Sequence, residues 1–161
     1  MANALDVAYY FLSVAPKEDE LTNLKIQKLC SYAQAVSLAY SGRELFEDEI
    51  YALHHGPVVP SVYDRLKTYG HAQIPSPIST EKALAPFSKE EQYVLQMTWA
   101  IYGRLTAWAL REQSHWDFPG NFKSQKVIKK EDIKKAFNTI PIVKHMRMGK
   151  KPEDVIHLLK I

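Results

Sequence analysis

The chain has a single cysteine, few glycines and no long apolar run. One thiol cannot close an internal disulfide, so a disulfide scaffold is excluded and a reducing compartment is favoured. No stretch approaches the ~18–20 apolar residues that a membrane helix needs. The opening segment, MANALDVAYYFLSVAPKEDE, lacks a basic leader, and Asp6 interrupts its apolar part. It does not read as a secretory signal, and the chain is expected to be cytoplasmic with no membrane partner. GxGxxG, Walker A, GxSxG, HExxH and CxxC are all missing. The usual signatures of nucleotide binding, serine hydrolysis and zinc binding are therefore absent. No catalytic residue, cofactor or metal ligand is expected.

What is present describes a folded protein. A hydrophobic content of 46% with a net charge of only +3 is incompatible with intrinsic disorder. A length of 161 residues suits one domain with a sizeable core. The charge is unevenly divided. Residues 1–120 carry 10 Lys and Arg against 14 Asp and Glu, a balance of −4, whereas residues 121–161 carry 11 against 4, a balance of +7. A basic segment of this kind attracts nucleic acid, acidic proteins or anionic membranes, or is simply a solvated helix face.

Periodicity predicts a mainly α, compact single-domain fold with at most a short two-stranded β element. Leu5, Ala8, Tyr9 and Leu12 form a stripe that Ala15-Pro16 ends. An acidic loop is expected at Lys17–Glu20. Leu24 to Tyr40 runs without Gly or Pro, with Thr22 or Asn23 as cap and Gly42 just past its end, and reads as a central helix. Ile50–His54 reads as extended, and His55-Gly56-Pro57 as a break. Val58 to Tyr69 is expected to be helical, with Val62, Tyr63, Leu66 and Tyr69 as its apolar face. Residues 71–87, with three prolines, read as an irregular connector. Ser88-Lys89-Glu90-Glu91 is a capping box, and the helix it opens is expected to run to about Arg111 with Trp108 in the core. A short strand is expected at Val127-Ile128. Short helices are expected at Asp132–Asn138, Pro141–Met148 and Pro152–Leu159.

Single residues offer little chemistry. Cys30 lies within the apolar helix, where cysteine acts as a small buried residue. His54 and His55 are adjacent and so do not share a helix face. Glu47-Asp48-Glu49 lacks the spacing and central glycine of a calcium loop. Trp116, beside Asp117-Phe118-Pro119, suits either an exposed interface anchor or a ring covering a helix end.

Three segments, in order, resemble a known family. The first is Leu24-Lys25-Ile26-Gln27-Lys28-Leu29-Cys30-Ser31-Tyr32-Ala33-Gln34-Ala35, with Gly42-Arg43-Glu44-Leu45-Phe46. The second is His55-Gly56-Pro57-Val58-Val59-Pro60-Ser61-Val62-Tyr63, with Tyr69-Gly70. The third is Leu110-Arg111-Glu112-Gln113-Ser114-His115-Trp116-Asp117-Phe118-Pro119. Together they resemble the SocA-like antitoxins of the Panacea domain family, which includes phage-associated proteins called GepA. The resemblance runs from about Val7 to Phe137. The third segment departs from the family pattern: Ser114 and Asp117 are mild replacements, and Gly120 stands where a tryptophan is expected.

The resemblance implies a helical domain at 1–137, followed by a basic helical extension at 138–161 packed on or next to it. It implies an antitoxin that binds and neutralises a cognate toxin protein, or an adaptor that delivers the toxin to an AAA+ protease. Nucleic-acid binding through the basic segment is a separate reading, resting on charge alone. Tyr32, His55, Gly56, Pro57, Val58, Val59, Pro60, Tyr63, His115 and Trp116 are the candidate partner-binding or fold-signature residues.

Overall fold

The computed structural model describes residues 2–16 and 21–156. The acidic loop expected at Lys17–Glu20 and the end of the last expected helix lie outside the described residues. The fold is mainly α-helical, with one small antiparallel hairpin.

Its axis is α2 (Asn23–Ser41), which is buried on every side from Asn23 to Ala39 apart from Leu24. Thr22 caps its start by accepting from the Lys25 amide. Gly42 ends it in the left-handed conformation that a side chain disfavours. Around α2 lie α1 (Ala4–Val14), α3 (Pro60–Leu66), α5 (Lys89–Tyr102), α6 (Ala107–Asp117), α7 (Lys130–Phe137) and α8 (Pro141–Arg147). A helix surrounded in this way is buried on all faces, and its buried residues include polar ones, which explains its weak amphipathic pattern.

The proline-rich connector is not wholly irregular. It contains a short helix, α4 (Thr80–Leu84), capped by Ser79 and packed on α1. The Ser88 capping box forms as expected: Ser88 accepts from the Glu91 amide at 3.2 Å, and the Glu91 carboxylate accepts from the Ser88 amide at 2.8 Å. The helix it opens stops at Tyr102, however. Gly103 to Leu105 turn the chain, and Thr106 caps a separate α6. The turn moves Trp108 out of the core, and it is 64% exposed.

The hairpin pairs β1 (Tyr51–Leu53) with β2 (Gly56–Val58), so His54 and His55 form its two-residue turn. Val58 is therefore a strand residue and not the start of the next helix. That helix, α3, begins at Pro60 and tightens into a 3-10 turn at Lys67–Tyr69. It buries Val62 and Leu66 but leaves Tyr63 and Tyr69 exposed. Val127 bridges to Tyr51 on the other edge of β1.

The described part of residues 138–161 forms α8 and α9 (Pro152–Val155), which pack on α2 and α5. Ile142, Val143, Met146 and Val155 are buried there. The Tyr93 hydroxyl donates to the Lys150 carbonyl and ties the start of α9 to α5. Several basic groups of the C-terminal quarter engage the body. Lys130 forms an ion pair with Glu44 at 2.6 Å, and Arg147 donates to the Ala39 carbonyl at 3.1 Å. No helix among the described residues is long and apolar enough to cross a membrane.

Candidate functional site

The three sequence segments meet in space: α2 lies beneath the hairpin, and α6 lies beside it. Polar side chains of α2 hold the surrounding turns. Lys25 Nζ donates to the Gly103 carbonyl at 2.7 Å, where α5 ends. Gln27 accepts from the Val59 amide at 2.9 Å, and Lys28 Nζ donates to the Pro57 carbonyl at 3.0 Å. Gln34 accepts from the Leu45 amide and donates to the Phe46 carbonyl. Buried backbone groups need partners, and irregular turns leave many without one. The central helix supplies them.

The hairpin shows why proline is tolerated in a strand. Ala52, which faces Pro57, directs its amide and carbonyl to Lys126 and Gln125 on the other side. The Ala52–Pro57 pair is thus a non-hydrogen-bonded one, where a missing N–H costs nothing. The Pro57 carbonyl points away from β1, towards Lys28. Gly56 has a φ of +105°, and a Cβ placed there would lie 2.8 Å from Ser114 Oγ and 3.1 Å from Lys28 Cε. Hairpin, α2 and α6 converge on that single glycine.

Tyr32 forms the second junction. Its ring stacks on Tyr102 at 4.1 Å and meets Phe118 and Phe137 edge-on. Its hydroxyl donates to Asp117 at 2.7 Å. Burial, with the Asp117 carboxylate next, pushes the Tyr32 phenol far above its ordinary range. Asp117 therefore serves as a structural acceptor. Removing the hydroxyl in Tyr32→Phe should cost about 1–1.5 kcal/mol, the net value of one hydrogen bond with a charge-assisted contribution. A thermal melt with an unchanged or raised midpoint would contradict this assignment.

On the outer surface, α6 and the hairpin turn form a polar cluster. Arg111 Nε donates to His55 Nδ1 at 3.2 Å, so that ring nitrogen holds a lone pair. Burial, then the positive charge of Arg111, holds the His55 pKa below its usual range. His115 places one ring nitrogen 2.7 Å from the Arg111 carbonyl and the other 3.2 Å from the His54 carbonyl. Arg111 also pairs with Glu112 at 2.8 Å and lies over the Trp108 ring at 4.9 Å.

The candidate residues thus fall into two sets. Tyr32, Gly56, Pro57, Val58 and Val59 are buried. His55, Tyr63 and Trp116 are exposed, while Pro60 and His115 are half-buried. Tyr63, read from sequence as suited to a buried contact, faces solvent. His55 and His115 come together where the hairpin turn meets α6, and Trp116 is the next residue along that helix. Sequence reasoning missed Lys28, Arg111 and Asp117, which organise the site. A signal existed: lysines and glutamines within an otherwise apolar, unbroken helix.

Cys30 is fully buried, and burial, with Asp48 next, pushes its thiol well above the usual range. Such a thiol is not an activated nucleophile. Among the described residues, no group of three or more His, Cys, Asp or Glu side chains is placed to hold a metal ion.

Fold and site together define a helical scaffold that holds a short hairpin rigidly against a surface helix. Residues 26–118 match the family model described as Antitoxin SocA-like, Panacea domain, and the chain belongs to that family. No curated protein and no solved structure matches it. The matched stretch runs from within α2 to just past the end of α6 and contains the hairpin, Lys28, Tyr32 and the α6 residues of the site.

Proposed function

We propose that this protein is an antitoxin that neutralises a cognate toxin by direct protein–protein contact, covering the surface the toxin needs. One observation carries this reading: the antitoxin-family match spans both the buried residues that fix the hairpin against α6 and the exposed residues they present. Residues 1–137 act as the neutralising domain, and the basic segment 138–161 covers the body. His55, Tyr63, His115 and Trp116 belong to the contact surface. Tyr32 and Gly56 to Val59 hold that surface in shape.

Coexpression with the product of the adjacent gene tests the proposal. That product alone should stop growth, and this protein should restore it while leaving the half-life of the toxin unchanged. A harmless neighbour, or a toxic one without rescue, would sink the reading. Rescue with a shortened half-life would replace covering by delivery to a protease.

A further inference from the structure

The hairpin turn meets α6 through two histidines whose rings face opposite demands. Arg111 Nε donates to His55 Nδ1 at 3.2 Å. A guanidinium stays protonated and offers no acceptor, so this bond exists only while Nδ1 keeps its lone pair. The ring is then neutral, with its one N–H on Nε2. A second proton has only Nδ1 to bind. It would turn the acceptor into a donor and set two cations against each other.

His115 shows the reverse. Its Nδ1 lies 2.7 Å from the Arg111 carbonyl, and its Nε2 lies 3.2 Å from the His54 carbonyl. Both partners are acceptors. A neutral imidazole carries one N–H and can serve only one of them. The shorter contact assigns that proton to Nδ1, which leaves the Nε2 lone pair against the His54 carbonyl. A protonated ring serves both, and so ties α6 directly to the turn.

The surroundings suit this division. His55 is faced by Arg111 and His115 from α6, by His54 beside it in the turn and by Lys28 from α2. None of these is a carboxylate. Glu112 is bound to the other end of Arg111 at 2.8 Å. Nothing among these groups would retain a charged His55, and its exposed ring can turn to water. His115, by contrast, is half-buried and packed against the Phe122 ring at 4.7 Å.

We propose that His55 and His115 form a proton-operated latch between the hairpin turn and α6. While His55 is neutral, it holds the turn by accepting from Arg111. In acid it lets go, Arg111 is released, and the protonated His115 ring holds the turn by donating to the His54 carbonyl. The hairpin stays attached, but the surface beside it exchanges a bonded pair for separate cations. The latch follows from ring chemistry and contacts, and it stands apart from the antitoxin reading.

NMR of the full-length protein, from about pH 8 to about pH 5, tests it across the range where histidine titrates. Near pH 8 the ring nitrogens should report His55 protonated on Nε2 and His115 on Nδ1. On acidification the Arg111 Nε–H signal should shift with the same midpoint as the His55 ring. His115 should gain an Nε2–H signal protected by its carbonyl partner. His55→Gln keeps an acceptor oxygen but does not titrate, so the transition at Arg111 should be lost. An Arg111 signal that ignores the His55 titration, or one that still moves in His55→Gln, would overturn the latch. So would a neutral His115 protonated on Nε2, because the turn would then already be held through His54.

Discussion

Gly56→Ala should destabilise the protein by about 3–4 kcal/mol, the sum of a strained backbone position and a clash in a closed site. For a domain of this size that lowers the melting midpoint by roughly 10 °C. The backbone at φ +105° is open to glycine and strongly disfavoured for alanine. The added methyl would also lie 2.8 Å from Ser114 Oγ, a distance real contacts of that kind do not show. Ser114 cannot easily give way, because it is buried and donates to the Arg111 carbonyl at 2.8 Å. Lys28 is equally confined, with no exposed surface.

A control separates the two causes. Gly42 also has a positive φ, +75°, but a Cβ there meets only the end of Lys134 at 3.8 Å. Gly42→Ala should therefore cost only about 1–2 kcal/mol, the left-handed penalty alone. If the two variants melt at the same temperature, the packing at Gly56 has no special weight. Because the glycine joins the hairpin to α6, Gly56→Ala should also weaken partner binding under conditions where it remains folded.

The sequence foretells the elements whose signals are local. α2 follows from an unbroken run bounded by Thr22 and Gly42, and the start of α5 from the Ser88 capping box. The break between α5 and α6 is not legible in the same way. Val94, Met97, Ile101, Leu105 and Trp108 keep helical spacing through it, and a helix interior tolerates one glycine at about 1 kcal/mol. A distant group stabilises the turn: Lys25, 78 residues earlier in the chain, takes the Gly103 carbonyl. Once the chain turns there, the continuing period no longer reports a single face. Trp108 points outward and Tyr102 inward to Tyr32.

The same reason governs the site. The motif His55-Gly56-Pro57-Val58-Val59 is visible in the sequence, and so is its likeness to a family. Its purpose is not, because the partners of Pro57 and Val59 are α2 side chains 29 and 32 residues away. The carboxylate bound by Tyr32 is 85 residues away. Tyr63 shows the converse. An aromatic at helical spacing suggests a core position, but α3 is too short and too peripheral to bury it.

Lys28→Met should make the protein more stable at pH 7, by about 1–3 kcal/mol, as replacing a buried charge with a well-packed apolar side chain often does. Lys28 has no exposed surface, and Nζ has one carbonyl partner, Pro57. Burial, with the nearby Arg111 charge next, lowers its pKa from 10.5 to about 7. The sign of the pH dependence follows. Between pH 7 and 10.5 the unfolded chain holds a proton on this amine that the folded chain has largely released. Stability therefore rises with pH in that window, by at most ~1.4 kcal/mol per unit. Below pH 7 both states are protonated, and the full cost of burying the ammonium is present. Wild type should accordingly gain roughly 2 kcal/mol between pH 7 and 9. Lys28→Met should lose that slope. The gain is partly offset, because the Pro57 carbonyl is left without its donor at a cost of about 1 kcal/mol or more. Denaturant unfolding at pH 7 and pH 9 measures both quantities. A methionine variant that is weaker at pH 7, or that keeps the slope, would contradict the assignment. Stabilisation accompanied by weaker partner binding would give the buried cation a role beyond folding. It would mean that Lys28 fixes the Pro57 carbonyl, so that stability is sacrificed to hold the hairpin in shape.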